Sequence, residues 1–216
     1  FNPARLYGLD DECGTIICSY PRSQPVVPVP YAQESMHGYE YQVAAHMIQE
    51  QMLEEGVEIV EAVRNRYDGS RRNPWNEIEC GSNYARSMAA FSLLFSWSGF
   101  EFDAVKGYIG FSPKTEKDPH LAFWSLGSGW GTCMIEPAKI QLKVAQGNLP
   151  LIRFKSNRLN PINHVSITEI CVGTRKVCFE HIGEVVNFID NVVITPSEQL
   201  TIVIKESLNN NENYKN

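Results

Sequence analysis

The chemistry of this chain concentrates in one stretch, NPWNEIECGSNYAR, running from Asn73 to Arg86. Two carboxylates (Glu77 and Glu79), an indole (Trp75) and a guanidinium (Arg86) sit there among almost no ordinary core hydrophobes. Pro74 opens the stretch and Gly81 punctuates it; Ser82 or Asn83 can cap an apolar helix beginning near Tyr84. A loop rich in acid, amide and aromatic groups, fixed at the end of a helix, can line a polar cleft. The combination suits a sugar. Trp75 can face a pyranose ring, while Glu77 and Arg86 exchange hydrogen bonds with neighbouring hydroxyls. The same residues also allow a plainer arrangement. Glu77 and Arg86 can be an ion pair tying a turn to a helix, with Trp75 a half-buried plug. Glu34, at the end of a proline-rich segment, is either a helix N-terminal acid or a cleft carboxylate.

The elements that must position these groups come in two textures. Val43, Met47, Ile48, Met52, Val57, Val60 and Val63 recur at three- and four-residue steps, which predicts helix over Tyr39–Tyr67. Gly56 interrupts it, giving two helices or one bent one, about Tyr39–Glu54 and Val57–Tyr67; Asp68-Gly69 stops it, and Ser35 is a candidate cap. A further helix is predicted over Tyr84–Trp97, with Met88, Phe91, Leu94 and Phe95 on one face and Ser98-Gly99 as its end. Upstream, DDECG (Asp10–Gly14) reads as a turn and Thr15–Ser19 as a short strand or the start of an extended segment. Pro21, Pro25, Pro28 and Pro30 keep Tyr20–Gln33 extended. After Gly107, Gly, Pro and Ser punctuate short β-branched or alternating runs. They predict strands at Leu121–Ser125, Trp130–Ile135, Lys139–Ala145, Leu151–Lys155, His164–Cys171, Lys176–His181, Val192–Thr195 and Leu200–Lys205. AKIQLKVA alternates with period two, so one face is buried. Residues 207–216 are polar, Asn-rich and expected to be disordered. The expected organisation is helical over 1–108, β-rich over 109–206 and a tail thereafter.

Composition narrows the classes. The chain has 216 residues, 43% hydrophobic, and a net charge of −6. The acidic balance argues against nucleic acid or anionic membrane as partner. No apolar run approaches the ~20 residues that span a bilayer. Cys13, Cys18, Cys80, Cys133, Cys171 and Cys178 form no CxxC, and no His stands at finger spacing, so no structural zinc is expected. Their apolar contexts favour free thiols in a reducing, cytoplasmic compartment, with disulfides left open by the even count. The chain opens FNPAR, with no initiator Met and no signal-peptide pattern. A processed protein or a piece of a longer one is therefore expected.

EYQVAAHMI (Glu40–Ile48), AVRNRYDG (Ala62–Gly69), NPWNEIECGSNYAR, SGFEFDAVKGYIGF (Ser98–Phe111) and FWSLGSGWGT (Phe123–Thr132) together resemble the C-terminal end of the catalytic domain of glycoside hydrolase family 116. This is the family of bacterial β-glucosidases and the non-lysosomal glucosylceramidase. The likeness runs over most of residues 1–135, in order; the stretch after about Pro137 resembles nothing nameable. It implies an α+β chain: a partial (α/α)6 toroid of helical hairpins followed by a C-terminal antiparallel β layer or small sandwich. It also implies a retaining β-glucosidase or glucosylceramidase whose glutamate nucleophile and aspartate acid/base lie upstream of this chain, leaving the fragment inactive alone. By position, Glu77 and Arg86 resemble the groups that hold the glucose hydroxyls, and Glu34 a carboxylate near the subsite entrance. The expected partners are a β-glucoside or glucosylceramide-type substrate and the missing N-terminal part of the same protein; no metal or organic cofactor is implied. One departure is Met36-His37, where the family usually has Trp-Thr, which bears on aglycone stacking. The alternative from another class is a noncatalytic carbohydrate-binding or interaction module, a glycosidase remnant whose β region does the work. A lyase or epimerase would need a Tyr/Arg or paired-His site, and His37, His46 and His120 are widely scattered.

Overall fold

Small residues decide how the first helices meet. In this computed structural model, which describes residues 11–27, 29, 31–32, 34–77 and 86–206, helix α1 spans His37–Gln49 and α2 spans Leu53–Arg66. A Cβ on Gly56 would lie 2.8 Å from Ile48 Cγ1 and 3.1 Å from the Ala44 carbonyl oxygen, so glycine lets α2 close on α1. Gly56 is thus a crossing point inside α2 and not the helix break read from the sequence. The break falls at Glu50–Met52, where Gln51 takes φ 68°. Tyr41, Val63 and Tyr67 form the small buried core of this part, with Val60, Ala89, Ala90 and Leu93 packed against it.

Gly69, at φ 92°, follows the end of α2, as Asp68-Gly69 leads one to expect. A 3-10 turn, Ser87–Ala90, leads into helix α3, Phe91–Ser98, and Gly99 follows at φ 58°. Met36, not Ser35, is the N-cap of α1, and no side chain caps it. Thr15–Ser19 forms no strand; the Cys18 N–H donates to Ala32 O at 2.9 Å. Glu79, Cys80, Ser82, Asn83 and Tyr84, with the proposed cap among them, lie outside the described residues, as does the predicted tail 207–216.

The chain divides into two units, Phe1–Trp97 and Ser98–Asn216. The second is all β among its described residues after α3, apart from two 3-10 turns. Its first strands are β1 (Glu101–Asp103), β2 (Tyr108–Phe111), β3 (His120–Leu126), β4 (Gly129–Glu136), β5 (Lys139–Gly147) and β6 (Leu149–Ser156). They are followed by β7 (Val165–Val172), β8 (Arg175–Lys176), β9 (Phe179–Ile182), β10 (Val185–Ile194) and β11 (Leu200–Glu206). One sheet has the order β1-β2-β6-β10-β9 and the other β3-β4-β5-β11-β7-β8. The ladders are antiparallel except β2 with β6. A single apolar cluster takes side chains from both sheets, Phe111, Phe154 and Ile194 from one and Trp124, Leu142 and Ile202 from the other. The alternation in β5 does what its period predicts: Ile140, Leu142 and Val144 are buried between Lys139, Gln141 and Lys143.

The expected partial (α/α)6 toroid is not the fold. The described residues hold three short α-helices and eleven strands in two sheets, so the protein is mostly β. The helical periodicity was real, but it continues only to Ser98. From Glu101 the chain adopts extended structure, including two strands, β1 and β2, for which no alternation gave warning. A C-terminal β layer, also expected, is present. No helix among the described residues is long and apolar enough to cross a membrane.

Candidate functional site

The buried face of α1 is unusually polar. His37, Glu40 and Tyr41 stand at helical three- and four-residue steps and are buried together with Ala44, Ala45 and Ile48. Two carboxylate sites form against this face, one using Arg66 of α2 and one using Arg64.

The first is Glu40. Arg66 forks onto it, with Nη1 donating to Oε1 at 3.2 Å and Nη2 to Oε2. The Thr15 N–H also donates to Oε1 at 2.8 Å, and Arg66 Nη1 donates to Cys13 O at 2.5 Å. The glycine between those two residues has a reason: a Cβ on Gly14 would lie 2.5 Å from Arg66 Nη1 and 2.6 Å from Ser35 Oγ. Arg72 forks in the same way onto Glu12, so acids of the lead-in segment are tied to the turn after α2. Burial raises the Glu40 carboxyl above its ordinary range, and the Arg66 charge opposes that only in part. This cluster is a clamp on the backbone, with its hydrogen-bonding groups turned inward.

The second is Glu77. The loop bearing it is folded by short-range bonds: Asp68 Oδ1 accepts from Ser70 N at 2.8 Å and Arg71 N at 2.9 Å, and Asn73 Oδ1 accepts from Trp75 N at 2.9 Å. These turns return the chain to α1, where Glu77 is 2% exposed. Tyr41 donates its hydroxyl to Glu77 Oε1 at 2.7 Å, and Arg64 Nη1 donates to the same oxygen. Burial, then the Glu77 carboxylate, pushes the Tyr41 phenol well above its usual range. Oε2 is buried and accepts no hydrogen bond from the described residues; His37 Nε2 lies 3.9 Å away.

Arg86 is half-buried, with its guanidinium 5.5 Å from the centre of the Tyr39 ring. Its backbone N–H donates to His37 Nε2 at 2.9 Å. Arg86 and Tyr39 line a groove of about 940 Å3 together with Gln42, His46, Ser92 and Phe95. The cation that meets Glu77 is Arg64, and Glu77 and Arg86 approach one another through His37. Trp75 is 90% exposed, an open ring and not a plug. Glu34 is fully buried just before α1. No group of three or more His, Cys, Asp or Glu that could hold a metal ion occurs among the described residues.

Sequence reasoning gave no role to Tyr41 or Arg64 and noted His37 only as part of a departure from the family pattern and as one of the scattered histidines. For Tyr41 and His37 the available signal was the run of polar residues on the inner face of α1, which a search for apolar periodicity passes over. No family model matches the chain, and no curated protein matches it.

Proposed function

We propose that the helical unit supplies the glycone-binding wall of a retaining β-glucosidase of the glucosylceramidase kind, as the C-terminal portion of a longer enzyme. The observation that carries this reading is the state of Glu77. One oxygen is fixed by Tyr41 and Arg64, while the other is buried without a donor among the described residues. A buried acceptor oxygen left open is costly unless a partner fills it, and a sugar hydroxyl is a partner of the right kind. Fixing Oε1 orients the carboxylate before a ligand arrives, so little ordering remains to be done on binding. Arg86, held nine residues on beside Tyr39, is a second polar contact, and Trp75 offers a ring for stacking.

In this reading these groups hold the ring and act more strongly in the transition state than in the ground state. The nucleophile and the acid/base, which in a retaining enzyme stand about 5 Å apart, belong to the upstream part of the protein. The free thiols Cys13, Cys18, Cys133, Cys171 and Cys178 support a cytoplasmic setting. The test uses the protein expressed from its longest reading frame, with a fluorogenic β-glucoside as substrate. Glu77→Gln and Arg86→Ala should each lower kcat/KM by roughly 30- to 1000-fold, the effect of losing one charged hydrogen bond in a dry site. Circular dichroism should be unchanged. Wild-type kinetics in either variant would remove the subsite role.

One observation favours the noncatalytic alternative. On the outward side of the six-stranded sheet, Trp130 is 44% exposed, its ring 6.3 Å from that of Phe123, and its indole N–H donates to Gln146 Oε1 at 3.5 Å. An aromatic pair beside an amide is a surface on which a glycan can stack. Retention on insoluble β-glucan that is lost in Trp130→Ala would support this reading.

A further inference from the structure

The imidazole between Glu77 and Arg86 has a defined hydrogen-bonding state. We infer that His37 is the positioning residue that couples the two: it anchors the Arg86 backbone through an unprotonated Nε2 and spaces that backbone from Glu77. That the clamped groups bind a glycoside rests on the reading above; the clamp itself does not.

The inference rests on four observations. His37 is the first residue of α1 and is fully buried. Its ring is held edge-on by Tyr41 and Tyr67, both with centroids 6.2 Å away. Nε2 accepts the Arg86 N–H at 2.9 Å. A ring nitrogen that accepts a hydrogen bond carries no proton, so in the neutral ring the proton sits on Nδ1. The remaining observation is the 3.9 Å between Nε2 and Glu77 Oε2. That separation exceeds hydrogen-bonding distance, and the Nε2 lone pair is already directed at Arg86. The pair is therefore two acceptors held apart and not an ion pair. Oε2 is kept as an acceptor for something else.

The anchor acts at the right place. Arg86 is the N-cap of the 3-10 turn Ser87–Ala90, so fixing its N–H fixes where its side chain starts toward Tyr39. Among the described residues, the groups facing the ring include Tyr41 from α1, Tyr67 at the end of α2, Glu77 and Arg86, with Arg64 meeting the same carboxylate. Protonation of Nε2 would turn an acceptor into a donor. It would break the bond to Arg86 N–H and direct the new donor to Oε2, occupying the oxygen that the site keeps open.

Two variants separate the acceptor from the ring. His37→Phe keeps an aromatic side chain against Tyr41 and Tyr67 but accepts nothing. His37→Gln places an amide oxygen near the Nε2 position and cannot be protonated. Long-range 1H–15N spectra of the wild-type chain at neutral pH should show His37 as the Nδ1–H tautomer, a result that needs no variant to fold. Amide exchange at Arg86 should be at least tenfold faster in His37→Phe and within threefold of wild type in His37→Gln. In the longest reading frame, His37→Phe should raise KM for the β-glucoside, and His37→Gln should restore it. An Nε2–H tautomer, or Arg86 exchange unchanged in His37→Phe, overturns the clamp. If the exchange result holds and the wild-type protein neither binds nor hydrolyses β-glucosides, the clamp stands and the glycosidase reading falls.

Discussion

Tyr41→Phe is the most direct probe of how Glu77 is held. The change removes one oxygen from a side chain that is 1% exposed and leaves its ring packing in place. That oxygen donates to Glu77 Oε1 at 2.7 Å. A hydrogen bond to a buried charged group contributes about 1.5–3 kcal/mol. Arg64 continues to donate to the same oxygen, so the carboxylate keeps its charge partner and the loss belongs near the lower end. Amide exchange reads this locally, where global unfolding would mix two units. Amides of α1 and α2 that exchange through opening of this core should exchange about ten- to a hundredfold faster in Tyr41→Phe. Pairing it with Glu77→Gln closes a double-mutant cycle, which should show coupling of about 1 kcal/mol or more, as residues in direct contact do. Exchange changed by less than threefold, or additive effects in the cycle, would refute the claim that Tyr41 fixes Glu77.

Three further outcomes follow from charge and burial. Arg66→Met leaves Glu40 buried without its cation and should destabilise the helical unit by about 3–5 kcal/mol, whereas Glu40→Met with Arg66→Met should recover most of that; urea unfolding followed by helix signal decides, and a double variant no better than the single would show that the pair itself is required. The His120 imidazole is held below 6.5 chiefly by burial, with Asp118 opposing. The unfolded chain therefore takes up the proton first as pH falls. Stability of the β unit is present above about 6.5 and lost toward acid, so urea titrations should give a lower stability at pH 5.5 than at pH 7.5, and His120→Gln should flatten the difference. Burial raises the Cys133 thiol far above its usual range, so a thiol reagent should modify exposed Cys13 and Cys178 in the native protein and reach Cys133 only after denaturation.

How much of this was legible beforehand depends on the range of the interaction. Most strands from β3 to β11 were readable because alternation and turn residues act over a few positions, as in Lys139–Gly147, but the predicted Lys176–His181 is split between β8 and β9, and β10 begins at Val185, well before the strand predicted at Val192–Thr195. The stop at Asp68-Gly69 was readable for the same reason. Gly56 was misread because a sequence shows the missing side chain but not the Ile48 and Ala44 atoms that take its place. The toroid failed because a resemblance carries a whole architecture, whereas the described chain has helix only to Ser98 and sheets beyond it.

The sequence by itself marked Asn73–Glu77 as a polar, turn-forming stretch after Asp68-Gly69, because Pro74 and the flanking Asn residues disfavour helix there. Only the tertiary structure decided the partners. It put Arg64 and Tyr41 on Glu77 and set His37 between that carboxylate and the Arg86 backbone. The reason is physical: a buried charge must be met by whatever donors the packed helices bring within about 3 Å, and helix packing is set by contacts far apart in the chain.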